Sequence, residues 1–280
     1  MKHKDKNRAL ISLYLLIFSI LAVLILLPIW VLLVASFKPG EDLLQNGLNF
    51  DLHISKMNLD NYVLLFWGQH DYWRWFFNSI SLTVLTVAGT LLISSFVGYG
   101  FAAYDFKGKN FFFILVLLIL SIPLEVVMLP LYKQISSWKM MDSYTAIVLP
   151  FLAHASTIFF FRQYLVSIPR SLMEAGRIDG ASEYGIFFRL IVPLMKPAFS
   201  AMAILNGMNA WNNYLWPLLV IRSSEKYPLT LGLNTLINPY GQNYSLLIVG
   251  SVFSVIPIFL LFVAFQKYFI EGMMAGAVKG

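Results

Sequence analysis

The sequence predicts an all-α, polytopic membrane protein with six transmembrane helices and both termini in the cytoplasm. Three observations predict it. Of the 280 residues, 59% are hydrophobic and only 12% charged, whereas soluble domains carry about 25% charged residues. Six apolar runs are long enough to cross a hydrocarbon core about 30 Å thick. Lys and Arg gather on alternate sides of those runs, as the positive-inside rule requires. The expected organisation is one transmembrane domain over 1–280 with a cytoplasmic elbow at 170–197.

The first run, Ala9–Phe37, follows Lys2, Lys4, Lys6 and Arg8. That charged start resembles a secretory signal, but the run exceeds the 7–15 apolar residues of a cleavable segment and reads as an anchor. The remaining runs are Asn78–Tyr104, Asn110–Leu131, Tyr144–Phe161, Ala198–Ile221 and Tyr244–Phe265. Pro28, Gly89, Pro123, Pro217 and Pro257 fall inside them, and neighbouring helices can re-satisfy the backbone groups such residues free. With the N-terminus inside, thirteen of the 20 Lys and Arg lie in the cytoplasm. The net charge of +6 and pI of about 9.4 do not point to nucleic acid, because the basic residues are interleaved with apolar runs rather than clustered. There is no cysteine, which excludes disulfides, thiolate metal sites and a Cys nucleophile. No internal repeat is present, so inverted-repeat secondary transporters lose support.

Two polar segments separate the runs. The external one, 38–77, ends in Tyr72-Trp73-Arg74-Trp75-Phe76-Phe77, a composition that favours the headgroup region and predicts an interfacial helix orienting the second span. The cytoplasmic one, Arg162–Pro197, needs structure of its own at that length. Ser171 followed by Glu174 has the spacing of a capping box, Asp179-Gly180 breaks the helix, and Ser182-Glu183 restarts it until Pro193 and Pro197 stop it. The expected product is a helix–turn–helix elbow with an apolar face. Such a face suits either a groove on a soluble partner or the lipid headgroups, and the residues alone leave both open.

Glu174-Ala175-Gly176-Arg177-Ile178-Asp179-Gly180-Ala181, followed by Leu190-Ile191-Val192-Pro193, resembles the EAA loop of ATP-binding-cassette importer permeases. The likeness runs from Leu59 onward. Leu59-Asp60-Asn61-Tyr62, Phe161-Arg162-Gln163, Trp211-Asn212-Asn213-Tyr214-Leu215-Trp216-Pro217 and the ending Gly272–Gly280 are similar to the maltose-type carbohydrate branch, and the ending to its second permease. Three positions depart from the pattern. Gly176 stands for the second Ala, and Leu190 and Val192 stand where Ile and Leu are usual. Gly costs about 1 kcal/mol relative to Ala in a helix, so a looser turn is expected at Gly176.

The resemblance implies a type I importer permease fold in a prokaryotic cell (inner) membrane, with lipid around the chain. It implies a heterodimer with a homologous partner permease, two ATP-binding subunits and an extracytoplasmic solute-binding protein. Glu174, Ala175, Gly176, Asp179, Gly180, Ala181 and Pro193 would couple to the ATPases, and Gly276 and Lys279 would reach the ATPase interface. ATP and Mg would be bound by partner subunits, with no cofactor on this chain. Glycerol-phosphate and polyol importers share these motifs, and a secondary transporter is the remaining alternative.

The sequence contains no phosphate-binding Gly-x-x-x-x-Gly-Lys-Ser/Thr, no Gly-x-Ser-x-Gly and no His-Glu-x-x-His, so it does not read as an enzyme. Its His residues, at 3, 53, 70 and 154, lack metal-ligand spacing. Within the fifth run, Asn206, Asn209 and Asn213 recur on one helix face, flanked by Trp211 and Tyr214. Amides beside aromatic rings suit a sugar pathway, but they equally suit hydrogen bonding between helices, and both readings stay open. Glu125, near the outer end of the third run, reads as structural or gating rather than a proton carrier.

Overall fold

A computed structural model describes residues 2–40, 42–43, 57–68, 71–237 and 244–277, with side chains from Leu10 to Lys267. The described residues are helical and contain no strand. In chain order the helices are α1 (Lys2–Ser36), α2 (Asp60–Trp67), α3 (Tyr72–Ala103), α4 (Lys109–Leu120), α5 (Leu124–Ser137), α6 (Tyr144–Val148) and α7 (Ala155–Val166). They continue with α8 (Arg170–Ile178), α9 (Glu183–Leu194), α10 (Lys196–Trp211), α11 (Leu215–Val220), α12 (Leu229–Thr235) and α13 (Tyr244–Ala277).

Three segments are unbroken apolar helices long enough to span a membrane: Leu10–Ser36, Tyr72–Ala103 and Tyr244–Lys267. Three more form bent pairs: α4 with α5 at 105°, α6 with α7 at 40°, and α9 with α10 at 77°. Counting each pair once gives six spans. Two of these bends and one further break interrupt three of the expected straight runs. Ser121-Ile122-Pro123 interrupts the third, because a proline restricts the residue before it and removes an N–H donor. The fourth run holds a 3₁₀ turn at Leu149–Phe151, with Pro150 inside it. The fifth helix stops at Trp211, and Asn212–Tyr214 separates it from α11. The aromatic stretch from Tyr72 is also not a separate interfacial helix. It forms the first turns of α3, with Tyr72 and Trp75 buried and Trp73 and Phe77 facing out.

Contacts divide the chain into two units, 1–72 with 233–255 and 73–232 with 256–280. In the first, Asn61 donates to the Lys38 carbonyl at 2.8 Å and Tyr72 to the Gly250 carbonyl at 3.3 Å. Phe253 meets Phe66 edge-on at 4.8 Å between ring centres. The apolar face of α1 is almost wholly exposed, as lipid contact demands.

In the second unit a core joins α3, α7, α8, α9 and α10 through Tyr99, Phe161, Met173, Phe187, Ile191 and Ala198. Phe187 is fully buried, stacked on Phe96 at 4.4 Å and tilted against Tyr99 at 5.2 Å. Truncating such a ring to Ala costs about 3–5 kcal/mol. Outside the core, one polar network pins two loops. Asp142 accepts from the backbone N–H groups of Arg222 and Ser223 at 3.0 and 2.9 Å and from Lys226 Nζ at 2.9 Å. Those donors hold its carboxyl well below the usual carboxylate range, with Lys226 foremost.

Candidate functional site

The elbow is built from two short helices and a defined turn. Helix α8 starts at Arg170 on Pro169, whose fixed φ suits a helix start, and Pro169 makes no side-chain cap. The expected capping box at Ser171 and Glu174 is therefore absent. Helix α8 ends in a Schellman motif: Ala181 N–H reaches the Gly176 carbonyl at 3.0 Å and Gly180 N–H reaches the Arg177 carbonyl at 3.1 Å. Gly180 takes φ of +75°, the left-handed conformation that glycine enters without steric penalty. Asp179 is the C-cap. The cap of α9 is Ser182, which accepts from Gly185 N–H at 3.1 Å.

The second elbow helix ends between Pro193 and Pro197, one residue past Pro193. The helix continues to Leu194, with a π turn over Phe187–Ile191 just before the proline. A proline ring crowds the carbonyl four residues earlier, here that of Arg189, and a π turn widens the helix at that place. The chain bends at Met195 into α10.

Gly176 and Leu190, two of the three departures from the family pattern, face each other. A Cβ at Gly176 would lie 3.0 Å from Leu190 Cδ1 and 3.1 Å from Ile186 Cγ1. Glycine thus lets α8 and α9 close on one another, so the turn is tight there rather than loose. Glu174, Ala175, Asp179, Gly180, Ala181 and Pro193 are exposed. Ile178 and Tyr184 stand at the tip with 86% and 72% of their surfaces exposed.

Sequence reasoning missed Glu183 as the hub of the elbow. It accepts from Arg177 Nε at 2.6 Å, from Tyr104 Oη and, at 3.4 Å, from Tyr99 Oη. The two tyrosines come from α3 and the residue after it. Arg177 first, then Tyr104, pull the Glu183 carboxyl down to about 2. A second tie joins the α3–α4 loop to α8: Asp105 pairs with Arg170 at 3.2 Å and with Lys109 at 3.0 Å. No local motif signals the contacts of Tyr99 and Tyr104 with Glu183 or of Asp105 with Arg170, since each joins positions more than 60 residues apart.

A second candidate site is a cavity of about 280 Å³ among α3, α5, the α6–α7 bend, α10 and the break after it. Asn206, Asn209 and Asn213 all line it. Asn213 reaches it from beyond the end of α10, not from the helix face expected. Asn206 is buried and donates to Thr157 Oγ1 at 3.0 Å and to the Met202 carbonyl at 2.8 Å. Its amide therefore ties α7 to α10 while edging the cavity. Trp211 and Tyr214 do not line it. Trp211 is buried, edge-on to Phe76 at 5.9 Å. Phe151 is the aromatic residue lining the cavity, and Thr86, Thr90 and His154 join it; the sequence reading placed none of these on a pathway. Glu125 is exposed in the first turn of α5 and makes no ion pair with Lys133 among the described residues. Gly276 falls in the last turn of α13, and Lys279 lies outside the described residues. Among the described residues no group of three His, Asp or Glu could hold a metal ion.

Residues 91–274 match the family model of the binding-protein-dependent transport system inner membrane component. The chain belongs to that family. It is accordingly a multi-pass inner-membrane component of a transport system, not an enzyme. The permease protein AraQ of the arabinooligosaccharide transport system of Bacillus subtilis is 52% identical to it over 95% of this chain and 94% of that one. LacG of the lactose transport system of Rhizobium radiobacter is 32% identical over 94% of each. A solved bacterial ABC transporter involved in importing the acidic polysaccharide alginate aligns with a TM-score of 0.81 at 24% identity, covering 94% of this chain and 98% of that one. That likeness concerns the fold.

Proposed function

We propose that this chain is one permease subunit of an ATP-driven carbohydrate importer. It forms part of the translocation pathway beside a homologous permease, and two ATP-binding subunits drive it. A solute-binding protein delivers the sugar. ATP and Mg belong to the ATP-binding subunits. The observation that carries the reading is the elbow: a glycine-pivoted helical turn whose tip residues, Ile178 and Tyr184, are exposed while its base is fixed in the core with α3, α7 and α10. A lever needs both properties, since energy released at one site must bias a two-state element shared with the other.

Glu174, Ala175, Gly176, Asp179, Gly180, Ala181 and Pro193 are the coupling residues in this reading, and Gly276 with Lys279 forms a tail at the ATPase interface. We treat 1–280 as one permease domain. Carbohydrate is favoured over glycerol-phosphate or a polyol because the relatives at 52% and 32% identity are named for arabinooligosaccharides and lactose. A secondary transporter has no use for a coupling elbow, and the family works with a binding protein. In a strain lacking the gene, uptake of labelled arabinooligosaccharide should disappear and return with the wild-type chain. Unchanged uptake in the deletion strain would refute the carbohydrate assignment.

A further inference from the structure

The start of α4 and the end of α7 meet around an arginine that has a ring to lie on and no acid to pair with. The Arg162 guanidinium carbon stands 3.9 Å from the centre of the Phe113 ring. Phe113 is stacked on Phe159 of α7 at 6.1 Å and meets Phe101 of α3 at 5.6 Å. On the other side, Gly98 of α3 leaves room for the α7 backbone, since a Cβ there would lie 3.1 Å from Arg162 N. Helix α7 is thus held against α3 while the Arg162 side chain reaches across to α4. Arg162 is half-buried and its Nε is buried. None of its N–H groups makes a hydrogen bond or ion pair among the described residues. A ring face offsets only part of the cost of desolvating a guanidinium, so the cation calls for an anion from outside the chain.

Depth and surroundings indicate which anion. Arg162 stands four residues before the end of α7 at Val166, and Phe113 four residues after the start of α4 at Lys109. Each is about one 5.4 Å turn in from its helix end, and headgroups fill a layer of about 5–7 Å on each side of the hydrocarbon. These helix ends are the cytoplasmic ones, which puts the guanidinium level with inner-leaflet phosphates. No residue of α4 is buried, and Ile114, Leu118 and Ile119 are more than half exposed, a surface along which acyl chains pack. The acids at these helix ends are taken: Asp105 by Lys109 and Arg170, and Glu183 by Arg177. Lys107, in the turn before α4, is exposed and makes no ion pair among the described residues. Two cations are left over, which favours a lipid of net negative charge over a zwitterionic one.

We propose that Arg162 and Phe113 form a binding site for one anionic phospholipid of the cytoplasmic leaflet. The Arg162 Nη groups donate to its phosphate, Phe113 holds the guanidinium flat beneath it, and the acyl chains run along α4. Only Ser167–Pro169 separates α7 from α8, so the headgroup sits beside the base of the elbow.

The test titrates the assembled transporter, in neutral detergent, with phosphatidylglycerol or phosphatidylcholine and counts lipid held on this subunit by native mass spectrometry. Wild type should hold one phosphatidylglycerol several-fold more tightly than phosphatidylcholine, and Arg162→Gln should lose that preference. Arg162→Lys should keep only part of it, because an ammonium retains the charge but not the planar stack on the ring. Phe113→Leu, which keeps an apolar side chain and removes the ring, should weaken retention as well, and it decides the matter if Arg162→Gln fails to accumulate. Arg74→Gln, at the external end of α3, should change nothing. Equal retention of the two lipids by wild type overturns the site, as does unchanged retention of phosphatidylglycerol in both the Arg162→Gln and Phe113→Leu variants. Displacement of the lipid by excess inorganic phosphate would mark a soluble-anion site and overturn it too. Loss of another subunit from the Arg162→Gln complex with lipid retention unchanged would assign the cation to a subunit interface instead. None of these outcomes bears on which solute is carried, so the functional reading stands or falls separately.

Discussion

Gly180 sits at φ +75° with nothing within 4 Å of where its Cβ would lie. Space is therefore not the constraint there; backbone handedness is. A β-branched residue in this conformation costs roughly 1–2 kcal/mol, enough to displace the turn without touching the spans. Gly180→Val should reach normal membrane levels and lose sugar uptake, with ATP hydrolysis uncoupled or the ATP-binding subunits lost. Gly180→Asn should retain most uptake, because Asn tolerates the left-handed region. Uptake measured alongside subunit co-purification checks both. The turn was legible in the sequence because Asp-Gly is a local signal. The tyrosine partners of Glu183 were not, because Tyr99 and Tyr104 lie about 80 residues away and meet it only through the fold.

Helix α9 illustrates what local pattern cannot supply at the scale of an element. Two prolines near its end marked its stop, but nothing local marked the π turn at Phe187–Ile191 that precedes it. Average hydropathy likewise hid the 105° bend after Leu120, since a run stays apolar whether straight or folded back. Breaks at Ser121–Pro123 and at Asn212–Tyr214 depend on what the neighbours re-satisfy. The Glu183 tie gives the elbow a specific weakness. Glu183→Ala should lower uptake by an order of magnitude or more with the chain still inserted, because α9 loses its anchors on α3 and α8. Exchanging the pair, Arg177→Glu with Glu183→Arg, should restore less than half, since the two tyrosine hydroxyls favour a carboxylate acceptor. The folded pKa of Glu183, about 2, lies below its ordinary value. The tie is therefore fully present above the ordinary Glu range and lost only as pH falls toward 2. Backbone hydrogen exchange of the elbow, corrected for intrinsic rate, should be flat between about pH 8 and about pH 5. Loosening within that window would mean that the tie does not hold the elbow.

For the whole molecule, the six-span organisation was readable from apolar runs and basic-residue asymmetry, because lipid enforces both. The division of contacts into two units was not readable, as it depends on which helices pack together. Orientation follows from charge and has a direct test. Ile178, exposed at the elbow tip, should as Ile178→Cys resist an impermeant thiol reagent added outside intact cells and react in inverted membranes. The central claim is that this chain moves sugar only as part of an ATP-driven assembly. The most direct measurement is uptake of labelled arabinooligosaccharide into proteoliposomes holding the chain alone, or with its partner permease, ATP-binding subunits and binding protein, each with and without ATP. The account predicts uptake only from the complete assembly with ATP; uptake by the chain alone, or by any assembly without ATP, would contradict it.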